Sequence, residues 1–290
     1  MKKKISNYIL ILLFISFSIS CEDEVPYDFI EQNILIAVLK VNEPISGIEL
    51  RNSQNLNDSI DTDKTRITDA EIIIKDGQNN EFKLEYDEDN FYYLPNQNYL
   101  VKANTEYSIE VLFGKNKEKL ITGNTITPGV TKWIDTTDYY LTFPKDTLNP
   151  VTEEKVIWEP VDGNDFFVIT ITNLDTLNYG KYLETPIKQL NRRIERPWLH
   201  ENSYESIQTI GIIRNNQTPI IWSSFKWFGL HEIGIKTIDY NYLMYFLQVR
   251  GTREINELFQ SVEGDGFGVF ASYYKIDYQL VLLKNPDWDE

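Results

Sequence analysis

Cysteine, histidine and methionine are nearly absent: 290 residues hold one Cys, two His and two Met. A lone Cys21 excludes the paired disulfides through which exported proteins use cysteine for structure. The two histidines, His200 and His231, each precede a glutamate, and neither belongs to a His-x-x-x-His spacing that would turn two imidazoles to one face of a helix around zinc. No Gly-x-Ser-x-Gly elbow is present, so the sequence names no serine nucleophile. Positive charge is also short. Lys and Arg number 28 against 44 Asp and Glu, a net charge of -16, which argues against a nucleic-acid partner and against a polybasic grip on anionic lipid. Beyond the N-terminus no apolar run approaches the roughly 20 residues that a membrane-crossing helix needs.

What is present begins at the N-terminus. Lys2-Lys3-Lys4 precede an apolar stretch from Tyr8 to Ile19, then Ser20, Cys21 and the acidic run Glu22-Asp23-Glu24. The stretch is too short to span a bilayer and reads as an export signal. Phe17-Ser18-Ile19-Ser20-Cys21 resembles a bacterial lipoprotein signal, in which the cysteine becomes the lipidated first residue of the mature chain; a free thiol at a plain cleavage site is the alternative. Two or more acyl chains anchor stably, each buried methylene contributing about 0.8 kcal/mol. Glu22, Asp23 and Glu24 resemble the acidic surface-export signal of Bacteroidota lipoproteins, the other reading being an ordinary solvated linker. Loss of residues 1–20 removes three lysines, leaving 25 basic against 44 acidic residues, a net charge of -19.

The remaining 270 residues suffice for two domain-sized cores, and β-branched and aromatic residues abound while alanine is scarce. The expected fold is mainly β, with two β-sandwich domains. Residues 21–31 form an acidic tether and 32–129 an N-terminal sandwich. Its strands are expected at Ile34–Leu39, Ala70–Lys75, Glu81–Tyr86, Asn90–Leu94, Tyr99–Lys102, Tyr107–Phe113 and Leu120–Ile126, several alternating apolar with polar. Pro128-Gly129 ends that unit. In residues 130–290, Val156-Ile157-Trp158-Glu159-Pro160 followed by Phe166–Ile171 resembles the second and third strands of an immunoglobulin or fibronectin III-like sandwich, with Trp158 as its core tryptophan. An insertion over about 174–206 carries a short predicted helix after Thr185-Pro186. Strands are expected at Ile207–Ile213, Ile220–Trp227 and Glu232–Ile238, then a helix capped by Asp239, with closing strands at Gly268–Tyr273 and Tyr278–Leu283.

The pattern resembles a large Bacteroidota family of outer-membrane lipoproteins known as the domain of unknown function numbered 4249. The residues that carry the resemblance are Thr68–Ile74 with Phe91-Tyr92, Tyr107–Val111, Thr125–Pro128 and above all Val262-Glu263-Gly264-Asp265-Gly266-Phe267-Gly268-Val269-Phe270. Ala37 and Asn104 stand where that family often has glycine. The resemblance implies an outer-membrane, lipid-anchored protein facing the cell exterior, a non-enzymatic accessory that captures or hands over a nutrient beside a TonB-dependent β-barrel transporter. A surface hydrolase of glycans or peptides and an adhesin or envelope scaffold are the competing readings.

For a ligand or partner surface the sequence offers Trp198, Trp222, Trp227 and Phe228, with Tyr179 and Tyr182 of the insertion, since flat aromatic faces stack on sugar rings; strand aromatics are otherwise core. Arg192, Arg193 and Arg196 form the one basic cluster, suited to an acidic partner or simply to a solvated helix face. No cofactor is expected. Asp58, Asp61 and Asp63 share a loop whose oxygens suit Ca2+, against a plain acidic loop as the alternative. Gly264-Asp265-Gly266-Phe267-Gly268 superficially matches a phosphate cradle, but a strand pattern rather than a helix follows, so a tight turn of positive φ is the expectation.

Overall fold

The computed structural model describes residues 29–55, 59, 61–96, 98–144, 151–174, 208–225, 228–249 and 259–284. Residues 1–31 with 54–60 make one unit and residues 32–53 with 61–290 another; every described strand lies in the second. The strands are β1 (Asn33–Lys40), β2 (Glu49–Asn52), β3 (Glu71–Asp76), β4 (Glu81–Asp87), β5 (Tyr92–Pro95), β6 (Glu106–Phe113), β7 (Lys119–Ile126), β8 (Trp133–Asp135) and β9 (Tyr140–Thr142). They continue as β10 (Val151–Trp158), β11 (Phe167–Asn173), β12 (Gln208–Ile213), β13 (Gln217–Ile221), β14 (Gly229–Ile238), β15 (Val262–Gly264), β16 (Phe267–Lys275) and β17 (Gln279–Lys284), with helix α1 (Tyr240–Val249) between β14 and β15.

Alternation decides the first sandwich. In β6, Tyr107, Ile109, Val111 and Phe113 are buried and the residues between them are not, as a half-buried strand of period two requires. The same rhythm buries Leu35, Ala37 and Leu39 of β1 and Ile72 and Ile74 of β3. One wall is the sheet β15-β7-β6-β3-β4-β5, the other is β2-β1-β16, and a single core joins Leu35, Ile74, Tyr107, Val111, Val262 and Phe270. At one end of this core the Tyr107 hydroxyl accepts from the Lys102 amide at 2.9 Å, in the manner of the tyrosine corner of β-sandwiches.

In the second sandwich, β12-β11-β14-β17-β9 faces the three-stranded sheet β13-β10-β8. Its core is aromatic. Trp158 is fully buried, with Phe167 edge-on at 5.1 Å and Trp133 at 6.2 Å, and Phe143, Phe225 and Phe228 complete the cluster. The molecule is thus mainly β, built of two sandwiches of the immunoglobulin and fibronectin III-like kind.

β16 belongs to both. Residues 267–273 pair in parallel with β1, and Tyr273–Lys275 pair antiparallel with β14, so one eight-stranded sheet runs through both sandwiches. The expected boundary at Gly129 is crossed here: the strand expected at Gly268–Tyr273 to close the second sandwich is part of β16, which, with β15 before it, completes the first. Period-two alternation reports which face of a strand is buried, not which strand lies beside it. A second correction concerns Ile220–Trp227, expected as one strand; β13 ends at Ile221, and Trp222–Ser224 form a 3-10 turn. The insertion at about 174–206 lies almost wholly outside the described residues.

The glycine run is where the chain changes sheets. β15 pairs with β7 in one wall, and three residues later β16 pairs with β1 in the other. Gly264 and Gly268 have φ of +106° and +137°, values that favour glycine. A Cβ on Gly268 would stand 1.9 Å from the Leu35 carbonyl oxygen, and one on Gly264 2.1 Å from that of Leu120. Between them Asp265 exchanges bonds with the Leu120 backbone (2.8 and 2.9 Å), and its carbonyl accepts from Asn33 Nδ2 at 2.8 Å. The motif thus ties the starts of β1 and β7 together.

Candidate ligand-binding face

Strand pairing brings together, on the face of the shared sheet that points away from the aromatic core, a group of side chains scattered in sequence. Lys236 of β14 stands opposite Lys275 of β16 and opposite Val168 of β11; one step along, Tyr273 stands opposite Ile238 and Lys40. Directly opposed residues share a face. Helix α1 covers part of it, packing Leu243 with Val168 and Ile238, while Tyr242 meets Tyr273 edge-on at 5.3 Å.

The helix is placed by its cap. Asp239 Oδ1 accepts from the Tyr242 amide at 2.6 Å, the N-cap bond expected of this residue. Its other oxygen accepts from Ser272 Oγ at 2.8 Å and from Thr125 Oγ1. Asn241 Nδ2 adds bonds to the carbonyls of Asn124 and Phe270, both 2.9 Å. Burial pushes the Asp239 carboxyl up to about 6, against the pull of the hydrogen bonds from Thr125, Tyr242 and Ser272.

The charges on this face are unequally matched. Lys275 Nζ pairs with Glu232 at 2.8 Å and Lys40 Nζ with Glu43 at 3.7 Å. Lys236 has neither carboxylate nor hydrogen-bond partner among the described residues; its ammonium lies 4.6 Å from the centre of the Tyr273 ring. Its pKa is lowered, first by burial and then by the charges of Lys275 and Lys40, against a smaller opposing pull from Glu43. Gly234 lets β11 approach closely: a Cβ there would stand 2.9 Å from Thr170 Oγ1, while Lys275 Cε at 3.6 Å would be in ordinary contact.

Two other surfaces compare poorly as sites. A shallow depression on the outer face of the first sandwich, lined by Ile73, Lys75, Ser108, Glu110, Thr122 and Asn124, is open, and Lys75 is already paired with Glu81 at 2.9 Å. At the far end of the second sandwich Tyr139, Tyr140 and Tyr278 are exposed, with Tyr139 and Tyr140 edge-on at 4.7 Å. The loops there are tied by Trp133 Nε1 donating to the Asp277 carbonyl at 2.7 Å.

Of the residues singled out in the sequence, Cys21, Glu22, Asp23, Glu24, Asp58, Tyr179, Tyr182, Arg192, Arg193, Arg196, Trp198, His200 and Trp227 lie outside the described residues. Trp222 is partly buried against the second core, 5.5 Å from Phe143, and Phe228 is inside that core. Asp61 is tied to Lys64 at 2.9 Å and to the amides of Asp63 and Lys64, while Asp63 pairs with Arg66. No cluster of three metal-ligating side chains occurs among the described residues. His231 is buried at 1 % exposure, with Nδ1 2.9 Å from the Gly229 carbonyl and Nε2 3.4 Å from Asn173 Nδ2. That geometry fits a neutral ring donating from Nδ1 and accepting at Nε2. Lys236 and Tyr273 were missed as site residues, since a lysine in an alternating strand reads as solvated.

No protein-family model matches the chain, and no curated protein matches it. Among solved structures, a segment of two fibronectin type III domains from chicken tenascin aligns with 72% of this chain and 91% of its own length, at 12% identity and a TM-score of 0.21. A likeness that distant carries no argument, and the fold stands on the strand pairing given above.

Proposed function

We propose that this chain is a lipid-anchored protein of the bacterial outer membrane, facing the exterior, that serves without catalysis as an accessory or ligand-capture component beside a TonB-dependent nutrient transporter. The observation that carries the reading is the order of the N-terminal residues: Lys2-Lys3-Lys4, a short apolar stretch, Cys21, then Glu22-Asp23-Glu24. Acyl chains on Cys21 would tether the sandwiches rather than insert them, and no helix among the described residues is long and apolar enough to cross a membrane.

Two measurements test this. Mass spectrometry of the native protein should find Cys21 at the mature N-terminus carrying diacylglycerol; an unmodified thiol or a retained leader would sink the anchor. Crosslinking in cells, followed by extraction in mild detergent, should recover a large β-barrel partner. Recovery only as a monomer favours the scaffold reading, and hydrolysis of glycans or peptides that disappears on replacing a single acid favours the enzyme.

A further inference from the structure

We propose that Lys236, flanked by Lys40 and Lys275 and resting on the Tyr273 ring, is the binding point for a single carboxylate of a small ligand. The inference starts from a charge count. Around the Tyr273 ring the described residues place three lysines and two glutamates, and both glutamates are engaged, Glu232 by Lys275 at 2.8 Å and Glu43 by Lys40 at 3.7 Å; Arg214 lies over Phe166 instead. One positive charge is left over, on the lysine that has no hydrogen bond among the described residues. A monoanion completes the set; a dianion overshoots it.

The arrangement is unfavourable without an occupant. Lys236 and Lys275 are cross-strand partners, and like charges directly opposed destabilise a sheet. The Tyr273 ring offsets part of this, a cation over an aromatic face contributing about 0.5–1 kcal/mol when exposed. A chain with net charge -16 has acids to spare, yet among the described residues the carboxylate that acts on this ammonium, Glu43, is itself paired with Lys40 and makes no ion pair with Lys236. Unlike an exposed lysine, Lys236 has lost part of its water to burial, so a carboxylate meeting it gains a stronger bond than it would at an ordinary surface. The rings of Tyr273 and Tyr242 give such a ligand an apolar wall, and Lys275 lies toward Glu232.

The site does not depend on the anchor at Cys21 and stands or falls separately. The test uses the full chain in nonionic detergent micelles, read by saturation-transfer difference NMR at constant ionic strength. The probes are D-glucuronate and N-acetylalanine, with glucose as the neutral control and inorganic phosphate as the dianionic one. At least one carboxylate probe should bind saturably and be displaced by acetate, and the tighter of the two assigns a sugar acid or a peptide terminus as the source. K236M should weaken it at least tenfold while melting no lower than wild type, and K236R should stay within about threefold. Absence of binding to the wild type, equal binding by glucose, tighter binding by phosphate, or unchanged affinity in K236M would each overturn the proposal.

Discussion

Asp76 of the first sandwich and Lys236 of the second are matched in opposite ways. In the first, the buried Asp76 is surrounded by donors: Asn80 and Gln78 through their amides at 3.0 and 2.9 Å, the Asn80 side chain, and Tyr99, whose hydroxyl meets that of Tyr107. Burial alone would raise this carboxyl, but the donors together hold it below its ordinary value. In the second, Lys236, on the face away from the aromatic core, lacks a carboxylate partner among the described residues; buried polar atoms without a partner among those residues occur in both sandwiches, Asn52 Oδ1 and Arg66 Nε in the first and Trp158 Nε1 and Gln279 Oε1 in the second. A charge left unmatched on a rigid sheet marks a surface where a ligand can supply the match.

Four substitutions would break or sharpen that contrast. Gly268→Ala should have the largest effect, because its Cβ would overlap the Leu35 carbonyl where β1 and β16 approach. Chemical denaturation is expected to show a loss of about 4 kcal/mol or more, or no folded protein, and since β16 serves both sandwiches the transition should lose amplitude in both cores together. If only one core were disturbed, the shared strand would not be the structural spine.

Asp239→Asn comes next. Its folded value of about 6 lies above the unfolded one near 3.9, so the native state holds the extra proton. Wild-type stability contributed by this group is highest below about pH 4, declines as pH rises to about 6, and is level beyond. Asparagine keeps the cap without ionising. The variant should therefore gain about 2 kcal/mol relative to wild type between pH 4 and pH 7 in urea titrations, and a pH-independent difference would remove the junction as a titrating site.

Tyr107→Phe should cost about 1–2 kcal/mol, read from the urea midpoint, since it leaves the Lys102 amide without its acceptor and strips Tyr99 of a partner. Lys236→Met is expected to be the smallest change in stability and of the opposite sign, neutral or up to about 1 kcal/mol more stable by thermal melting, because it removes the repulsion with Lys275. A clear destabilisation would mean that this lysine, like Asp76, is a satisfied structural group after all.

Much of the fold was legible residue by residue. Tyr107, Ile109, Val111 and Phe113 announced β6 by alternation, Trp158 was readable as a core tryptophan, and Asp239 as a helix cap. These are local signals, carried by neighbours within a few positions. The candidate face was not legible, because Lys40, Lys236 and Tyr273 come from strands far apart in the chain, and each alone looks like an ordinary surface or core residue. The aromatics chosen by composition fared differently, with Trp222 and Phe228 packed on or in the second core.

By itself, the sequence determined the β class, the buried face of most strands, the cap, and the leader pattern on which the proposed anchor rests, because each depends on short-range periodicity or on one contiguous run. Only tertiary structure decided that residues 262–273 turn back to complete the first sandwich, and that three lysines and two glutamates meet beside one tyrosine with a positive charge left unmatched. Long-range pairing has no local signature: a strand's side chains fix which face is buried, while its partner is chosen by the packing of the whole sheet.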